Sequence, residues 1–214
     1  MFNLNKNMNP TFYTYKVAYD HGTAPNPDQY YCSLAICKPV IRRTAKVGDL
    51  IVGFDTRENS NRIVYIMIVD EVISWHDYII RCETDPLLKN KIPCYENDYN
   101  GDCIWKVESF GISHQPLKSR SGHGINCYHT DVEKGKNVLL GKKFMYFGNG
   151  ENIDLRIPEK FHRIIPNRGH KSKANIPYLE PFIEFINKEL ELRGLQEFKF
   201  YGNPKLPLEP KNWE

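Results

Sequence analysis

The strongest hydrophobic pattern in the chain is a continuous apolar run at residues 63–69. Its seven residues are mostly β-branched or aromatic, and the polar residues Asn61 and Asp70 stand near its two ends. Since an alternating strand would place every second side chain in water, an unbroken run predicts a strand buried on both faces. A similar run at residues 46–54 precedes it across a short polar loop, which predicts an antiparallel pair at the centre of the core.

Weaker runs of apolar and β-branched residues extend this pattern on both sides of the pair. They predict a first strand at residues 11–19, a further strand at 103–107 and a last strand over 137–148. Ser74 is placed to cap a short helix. Between Pro181 and Gly194, four apolar residues recur at helical spacing and predict a C-terminal amphipathic helix: Phe182, Ile183, Ile186 and Leu190.

The length of 214 residues, the apolar content of 41% and the aromatic content of 13% allow one large folded domain. We expect an α+β domain at residues 11–174, with the C-terminal helix and tail, residues 175–214, packed on it. The six cysteines follow no apolar leading segment, and no apolar run approaches the roughly 20 residues of a membrane helix. We therefore expect a cytoplasmic protein with free thiols and no membrane contact.

A short polar loop follows the first predicted strand. In it, Asp20, His21 and Asn26 bring together a carboxylate, an imidazole and an amide, and such groups can read the hydrogen-bonding edge of a base. The alternative is that Asp20 and His21 only cap the loop backbone. Further along the chain, a basic cluster predicts contacts with phosphate, or else a solvated surface: Lys38, Arg42 and Arg43.

Two other groups of residues are candidates for ligand contact. Trp75 and Trp105 could stack on a base, although most tryptophans lie in protein cores. The loop at residues 119–123 offers hydroxyl and guanidinium donors beside a glycine, which suits an anion or a flipped base; a disordered polar loop is the alternative. Its candidate ligand-binding residues are Ser119, Arg120, Ser121 and His123.

No metal or cofactor is predicted, and no catalytic residue is assigned. His123, Cys127 and His129 are metal-ligand types, but their spacing matches no zinc pattern and no C-x-x-C pair is present. Cys32 and Cys37 are interpreted as small buried apolar side chains. The sequence contains no Ser-His-Asp signature, no phosphate-binding glycine loop and no two-metal carboxylate set.

Several blocks of the sequence resemble a known family. The blocks Tyr-Asp-His-Gly at 19–22, Ala-Pro-Asn at 24–26, Cys-Ser-Leu-Ala-Ile-Cys-Lys-Pro at 32–39 and Ile-Arg-Arg at 41–43 resemble the second type of nucleotide modification associated domain. The Val-Gly-Asp turn at 47–49 and the strands around it resemble the PUA-like group, especially its EVE and ASCH branches. The resemblance implies a strongly bent β-barrel flanked by helices, with a nucleotide or nucleic-acid pocket between two loops.

Three hypotheses for the function stay open. In the first, a binding module holds a modified or flipped base between the loops at residues 20–26 and 119–123, in a DNA-modification or defence context, while the basic cluster and a basic segment at 156–173 hold phosphates. In the second, the protein is a nucleotide or nucleic-acid hydrolase of ASCH type that uses His21 or Lys38. In the third, the basic segment binds an acidic partner protein.

Overall fold

The computed structural model describes residues 4, 9–56, 61–196, 199, 201–204 and 208–212. The chain separates into two compact units, each assembled from distant parts of the sequence. The first unit comprises residues 1–18, 46–70 and 141–203, and the second unit comprises residues 19–45, 71–140 and 204–214. The expected domain boundary between residues 174 and 175 stays a prediction.

The structure is α+β, as the sequence predicts. The strands among the described residues are β1 (Phe12–Lys16), β2 (Asn26–Pro27), β3 (Cys32–Leu34), β4 (Leu50–Phe54), β5 (Ile63–Ile68), β6 (Glu71–Ser74), β7 (Val107–Glu108), β8 (Gly111–Ile112), β9 (Asn137–Gly141), β10 (Phe144–Tyr146) and β11 (His170–Lys171). The α-helices are α1 (Pro39–Thr44), α2 (Trp75–Thr84) and α3 (Leu179–Leu192), and His129–Lys134 form a π-helix. None of the described helices is long and apolar enough to cross a membrane.

The first unit is organised around a five-stranded sheet with the order β10-β5-β4-β1-β11. The predicted central pair is confirmed, since β4 and β5 are antiparallel with Val52 opposite Ile66. All six residues of β5 are buried, in agreement with its unbroken apolar run. The strand order is linear, so the described residues do not form a closed barrel. The predicted bent β-barrel of PUA-like proteins is therefore not confirmed in this part of the chain.

The predicted C-terminal helix is confirmed as α3. Its apolar face is buried in the core of the first unit, where the Phe182 ring lies 5.0 Å from the Phe12 ring of β1. Pro181 falls in the first turn, where a missing N–H removes no helical hydrogen bond. Gly194 follows the helix end with a φ of +60°, a conformation that glycine adopts without strain.

The second unit contains a four-stranded sheet with the order β2-β3-β9-β6 and the short hairpin of β7 and β8. Its hydrophobic core includes the buried side chains of Trp75 and Trp105. Ser74 caps α2 as predicted, because its Oγ accepts a hydrogen bond from Asp77 N at 3.1 Å.

Two strand predictions are wrong in part. Residues 103–106 form no strand, and Val107 begins the short strand β7. The three buried side chains at 103–105 follow one another without alternation, so the apolar signal there reflects core burial and no strand pairing. The predicted strand over residues 137–148 is instead β9 and β10, which lie in different sheets. A turn separates them, and its Lys142 N–H bonds the Asp70 carboxylate at 2.6 Å.

Candidate functional site

A cavity of about 400 Å³ opens in the second unit. Six residues line it: His21, Asn97, Asp98, Asn100, Arg120 and Pro204. Two of these residues, His21 and Arg120, are predicted ligand contacts, and they come from the two loops that the sequence singles out. The volume lies within the range of about 300–1,000 Å³ that is typical of small-ligand sites. The cavity is therefore the candidate ligand site.

Arg120 is fixed in the cavity wall by Asp98. Its Nη2 lies 2.6 Å from Asp98 Oδ2, and its Nε donates to the Asp98 carbonyl oxygen at 2.7 Å. Its Nη1 donates to the carbonyl oxygen of Leu208. Since these bonds engage all three guanidinium nitrogens, Arg120 shapes the wall. The Asp98 side chain is 75% exposed, and a carboxylate with one partner keeps acceptor positions for a ligand.

Asn100 contributes an unsatisfied acceptor to the same wall. Among the described residues, its buried Oδ1 has no hydrogen-bond partner. Asn97, by contrast, is satisfied, because its Nδ2 donates to two carbonyl oxygens and its Oδ1 accepts from Cys94 N. Buried polar atoms are nearly always paired in folded proteins, so a donor from a ligand would supply what Asn100 lacks.

An aromatic surface adjoins the cavity at His21. The rings of Tyr19 and His21 are stacked, with 6.0 Å between their centroids and 13° between their planes. Tyr19 is 71% exposed. An exposed flat ring beside a cavity wall is suited to stack on a nucleobase, because every base offers a π-face.

Asp20 and Asn26 are buried and hold the loop that carries His21. Asp20 Oδ1 accepts a hydrogen bond from Gly22 N at 3.3 Å, and Asn26 Nδ2 donates to Gly22 O at 2.7 Å. Lys91 Nζ donates to Asn26 Oδ1 at 3.1 Å. For Asp20, this geometry matches the alternative interpretation in which its side chain caps the loop backbone. The hydrogen bonds of Asp20 and Asn26 to the Gly22 backbone position His21 at the cavity.

Four other predicted contacts lie in the interior of the second unit. Trp75 and Trp105 are exposed by only 2% and 1%, and both belong to the hydrophobic core. Ser119 and Ser121 are buried with their Oγ atoms 2.8 Å apart, in a mutual hydrogen bond. A ligand would reach these four side chains only through a rearrangement of the unit.

The basic cluster is divided between the interior and the surface. Arg42 is completely buried, and its Nε donates to the Cys37 carbonyl oxygen at 2.7 Å. Arg43 is exposed, and its Nη1 donates to Lys134 O at 3.0 Å. Burial lowers the pKa of Lys38, while the nearby Cys37 raises it. Arg42 therefore organises the backbone around Cys37, and Arg43 is the cation that the cluster presents to solvent.

Sequence reasoning missed a hydrogen-bonded chain of three side chains in the second unit. Cys37 Sγ lies 3.0 Å from His123 Nε2, and His123 Nδ1 lies 2.6 Å from Asp131 Oδ2. Cys37 is thus half-buried and bonded to a polar group, and the prediction of a buried apolar side chain is wrong for it. Cys37 and His123 are 86 positions apart, and His123 and Asp131 are 8 positions apart. No local spacing in the sequence could therefore reveal this chain of side chains. The Cys-Lys-Pro turn before α1 is the single local signal.

The charge of His123 follows from its two partners. Burial of the ring lowers its pKa, but the hydrogen bonds and charges of Asp131 and Cys37 raise it, and the net result is about 11. The ring is therefore an imidazolium at neutral pH, with Nε2 donating toward Cys37 Sγ and Nδ1 donating to Asp131.

Metal-ligand residue types do not gather into a site in the part of the chain that the structure describes. No group of three or more His, Cys, Asp and Glu side chains there is arranged to hold a metal ion. His129 is bonded through its Nδ1 to the carboxylate of Glu133, one turn along the same π-helix.

The structure is that of an α+β protein with a candidate ligand site built from loops. The chain belongs to the family described as nucleotide modification associated domain 2, whose match covers residues 9–205. This match confirms the family that the residue blocks resemble, and its description suggests a role in nucleotide modification. No curated protein and no solved structure matches the chain.

Proposed function

We propose that the protein binds a nucleotide, free or within a nucleic acid, and holds its base in the cavity lined by His21 and Arg120. The observation that carries this proposal is the exposed Tyr19 ring stacked on His21, beside a cavity wall with acceptor groups at Asp98 and Asn100. Stacking provides affinity that every base can use, and the polar wall then selects among bases. The family's association with nucleotide modification supports this class of ligand.

The acceptors in the wall favour a base that presents donors. The Asp98 carboxylate and the Asn100 Oδ1 are both hydrogen-bond acceptors by their chemistry. The Watson–Crick edge of guanine carries two adjacent donors, the N1–H and the 2-amino group, whereas that of uracil or thymine carries one donor between two acceptors. We therefore assign guanine, or a modified base with the same donor edge, as the preferred ligand.

The phosphates of the ligand are assigned to exposed cations outside the cavity. The Asp98 carboxylate disfavours a phosphate within the cavity, because like charges repel. Arg42 is buried, so the exposed Arg43 takes this role for a base held in the second unit, and the basic segment at residues 156–173 is a separate candidate for contacts with a nucleic-acid backbone. Within that segment, Arg156, Arg163 and Arg168 are all exposed. Such contacts would add affinity without reading the sequence of a nucleic acid.

A base that belongs to a nucleic acid must leave its stack to enter a cavity of this size. Extrusion of a base from a duplex costs a few kcal/mol, and it costs least for a mismatched, modified or single-stranded base. The proposal therefore predicts tighter binding of single-stranded than of duplex oligonucleotides. We also propose that the recognised base is a modified or flipped one. The relationship of this fold to PUA-like proteins is part of the same proposal.

Calorimetric titration with guanosine, adenosine and uridine monophosphates tests the base preference. We expect the guanosine nucleotide to bind at least about fivefold more tightly than the uridine nucleotide, because one well-formed pair of base contacts discriminates by about 1–3 kcal/mol. His21→Ala should weaken all three, since it removes half of the stack. Asp98→Asn should reduce the preference for guanosine, because an amide is a weaker acceptor and adds donors.

A matched control separates the cavity from surface charge in general. Asp154 forms a similar exposed pair with an arginine outside the cavity, with its Oδ2 2.8 Å from Arg156 Nε. Asp154→Asn should leave the preference for guanosine unchanged. Titrations with single-stranded and duplex oligonucleotides then distinguish a free nucleotide from a nucleic acid as the source of the base. Equal affinity for the three nucleotides, or an Asp98→Asn variant with the wild-type preference, would overturn the proposal.

A further inference from the structure

We propose that Cys37, His123 and Asp131 form a nucleophilic triad that transfers an acyl group from an amide or ester carbonyl. Cys37 Sγ lies 3.0 Å from His123 Nε2, and Asp131 Oδ2 lies 2.6 Å from His123 Nδ1. A nucleophile within hydrogen-bonding reach of a base, and a third group that orients the base, is the arrangement that nucleophilic catalysis requires. This activity goes beyond nucleotide binding, and it differs from a hydrolase that uses His21 or Lys38.

Asp131 is held so that it can orient His123. Its side chain is completely buried, and its Oδ1 accepts a hydrogen bond from Cys37 N at 3.0 Å. The Asp131 carbonyl oxygen accepts from Trp75 Nε1 at 2.8 Å and from Arg42 Nη2 at 2.9 Å. These bonds fix the carboxylate on the π-helix and couple it directly to the backbone of the nucleophile. Asp131 is therefore a positioning residue.

The backbone places Cys37 at a sharp turn between a strand and a helix. Cys37 and Lys38 have φ values of +60° and +43°, between the end of β3 at Leu34 and the start of α1 at Pro39. Non-glycine residues rarely adopt this conformation, and unfavourable backbone conformations concentrate at functional sites. A strained turn of this kind also presents the nucleophile in α/β-hydrolases, where a serine takes the place of cysteine.

The electrostatic surroundings distinguish Cys37 from the buried cysteines. His123, with its pKa raised to about 11, presents an imidazolium to Cys37 Sγ at a distance of 3.0 Å. Burial raises the pKa of Cys32. A hydrogen bond with Cys82, together with burial, also raises the pKa of Cys103. Cys37 is thus set apart as a half-buried thiol with a cationic partner.

The acyl-transfer step conserves atoms, protons and electrons without an oxidant or a reductant. The Cys37 thiolate attacks the carbonyl carbon, a C–S bond forms, and the carbonyl π pair moves to oxygen. When that pair returns, the bond to the leaving group breaks, and the leaving nitrogen or oxygen takes the proton from His123 Nε2. Water then attacks the thioester and gives a proton to His123. The acid is released, and the thiolate and imidazolium are restored.

Two probes test this proposal on the full chain. With p-nitrophenyl acetate, we expect a burst of nitrophenolate and one acetyl group, which peptide mass spectrometry places on Cys37. Cys37→Ser should abolish the burst. Cys127→Ser is the matched control, because Cys127 is also half-buried and lies outside the triad, and it should keep the burst. With iodoacetamide at about pH 6, wild-type Cys37 should react at least about tenfold faster than Cys127 in the same molecules.

The iodoacetamide comparison does not depend on the folding of any variant or on nucleotide binding. If Cys37 reacts no faster than Cys127, or if the acetyl group is found only elsewhere, the proposal is wrong even when nucleotides bind as expected. Asp131→Asn tests the positioning role. It should shift the pH profile of Cys37 alkylation toward higher pH, because a neutral amide no longer stabilises the imidazolium. An unchanged profile would contradict the orienting role of Asp131.

Discussion

Gly135 lies so close to the Arg42 guanidinium that a β-carbon at this position would come within 2.1 Å of Nη2 and 2.4 Å of Nη1. The guanidinium is held on its other side, because its nitrogens donate to the carbonyl oxygens of Cys37, Asn137 and Asp131. A glycine at position 135 is therefore what permits Arg42 to bridge the Cys37 turn and the π-helix.

Gly135→Ala should destabilise the protein, because the added methyl group must displace a guanidinium that is bonded on several sides. Overpacking of a closely packed interior costs about 1–3 kcal/mol, which corresponds to a Tm lower by roughly 3–10 °C for a chain of this size. Differential scanning calorimetry measures the change. Gly122→Ala is the control, since among the residues that the structure describes its β-carbon would meet only Leu208 Cδ1, at 3.8 Å. Equal Tm values for the two variants would contradict the packing argument.

The free energy of unfolding should fall as the pH rises above neutrality. The pKa of His123 is raised in the folded state from 6.5 to about 11, so its contribution is complete below pH 6.5 and is lost as the pH rises toward 11. Urea unfolding at pH 6.5 and at about pH 9.5 should show a loss of more than about 1 kcal/mol for the wild type.

His123→Gln removes the titrating ring and should flatten this pH dependence. His162 is an exposed histidine outside the second unit, and His162→Gln should retain the wild-type dependence. A His123→Gln variant that loses stability with pH as steeply as the wild type would show that another group is responsible.

The basic segment should contribute affinity that is independent of base identity. Its arginines at positions 156, 163 and 168 are exposed, as expected for phosphate binding. Their joint replacement by alanine should weaken binding of every oligonucleotide alike and lower the slope of log affinity against log salt by roughly one unit for each phosphate that is no longer neutralised. Arg193→Ala, outside the segment, should change neither quantity. A triple variant with the wild-type slope would assign the phosphates to other cations, with Arg43 the first to examine.

The elements that the sequence predicts well are those with long, unbroken signals. The apolar run of β5 and the amphipathic spacing of α3 both depend on local side-chain patterns that burial imposes directly. Residues 103–106 show the limit of this reasoning, because their side chains are buried in succession while their backbone forms no strand. Apolar content reports burial, and a strand also requires a neighbouring strand to pair with.

The residues of the candidate sites also divide into those that local sequence could predict and those that it could not. His21 and Arg120 could be chosen from the sequence because each lies in a short loop rich in polar groups. Arg42 illustrates a failure, since a basic residue beside another arginine suggested a surface, whereas four backbone carbonyl oxygens surround its buried guanidinium. Asp131 had no local signal at all, because its role depends on a hydrogen bond with Cys37 from 94 residues away.

Photo-crosslinking locates the bound base most directly. Irradiation of the full chain with 8-azidoguanosine monophosphate, followed by peptide mass spectrometry, reports which side chains contact the base. The account predicts labelling of the peptide that contains Tyr19 and His21, competition by unmodified guanosine monophosphate, and loss of this label in His21→Ala. Labelling confined to peptides that contain none of residues 19–21, 97–100 and 120 would contradict the assignment of the cavity as the base-binding site.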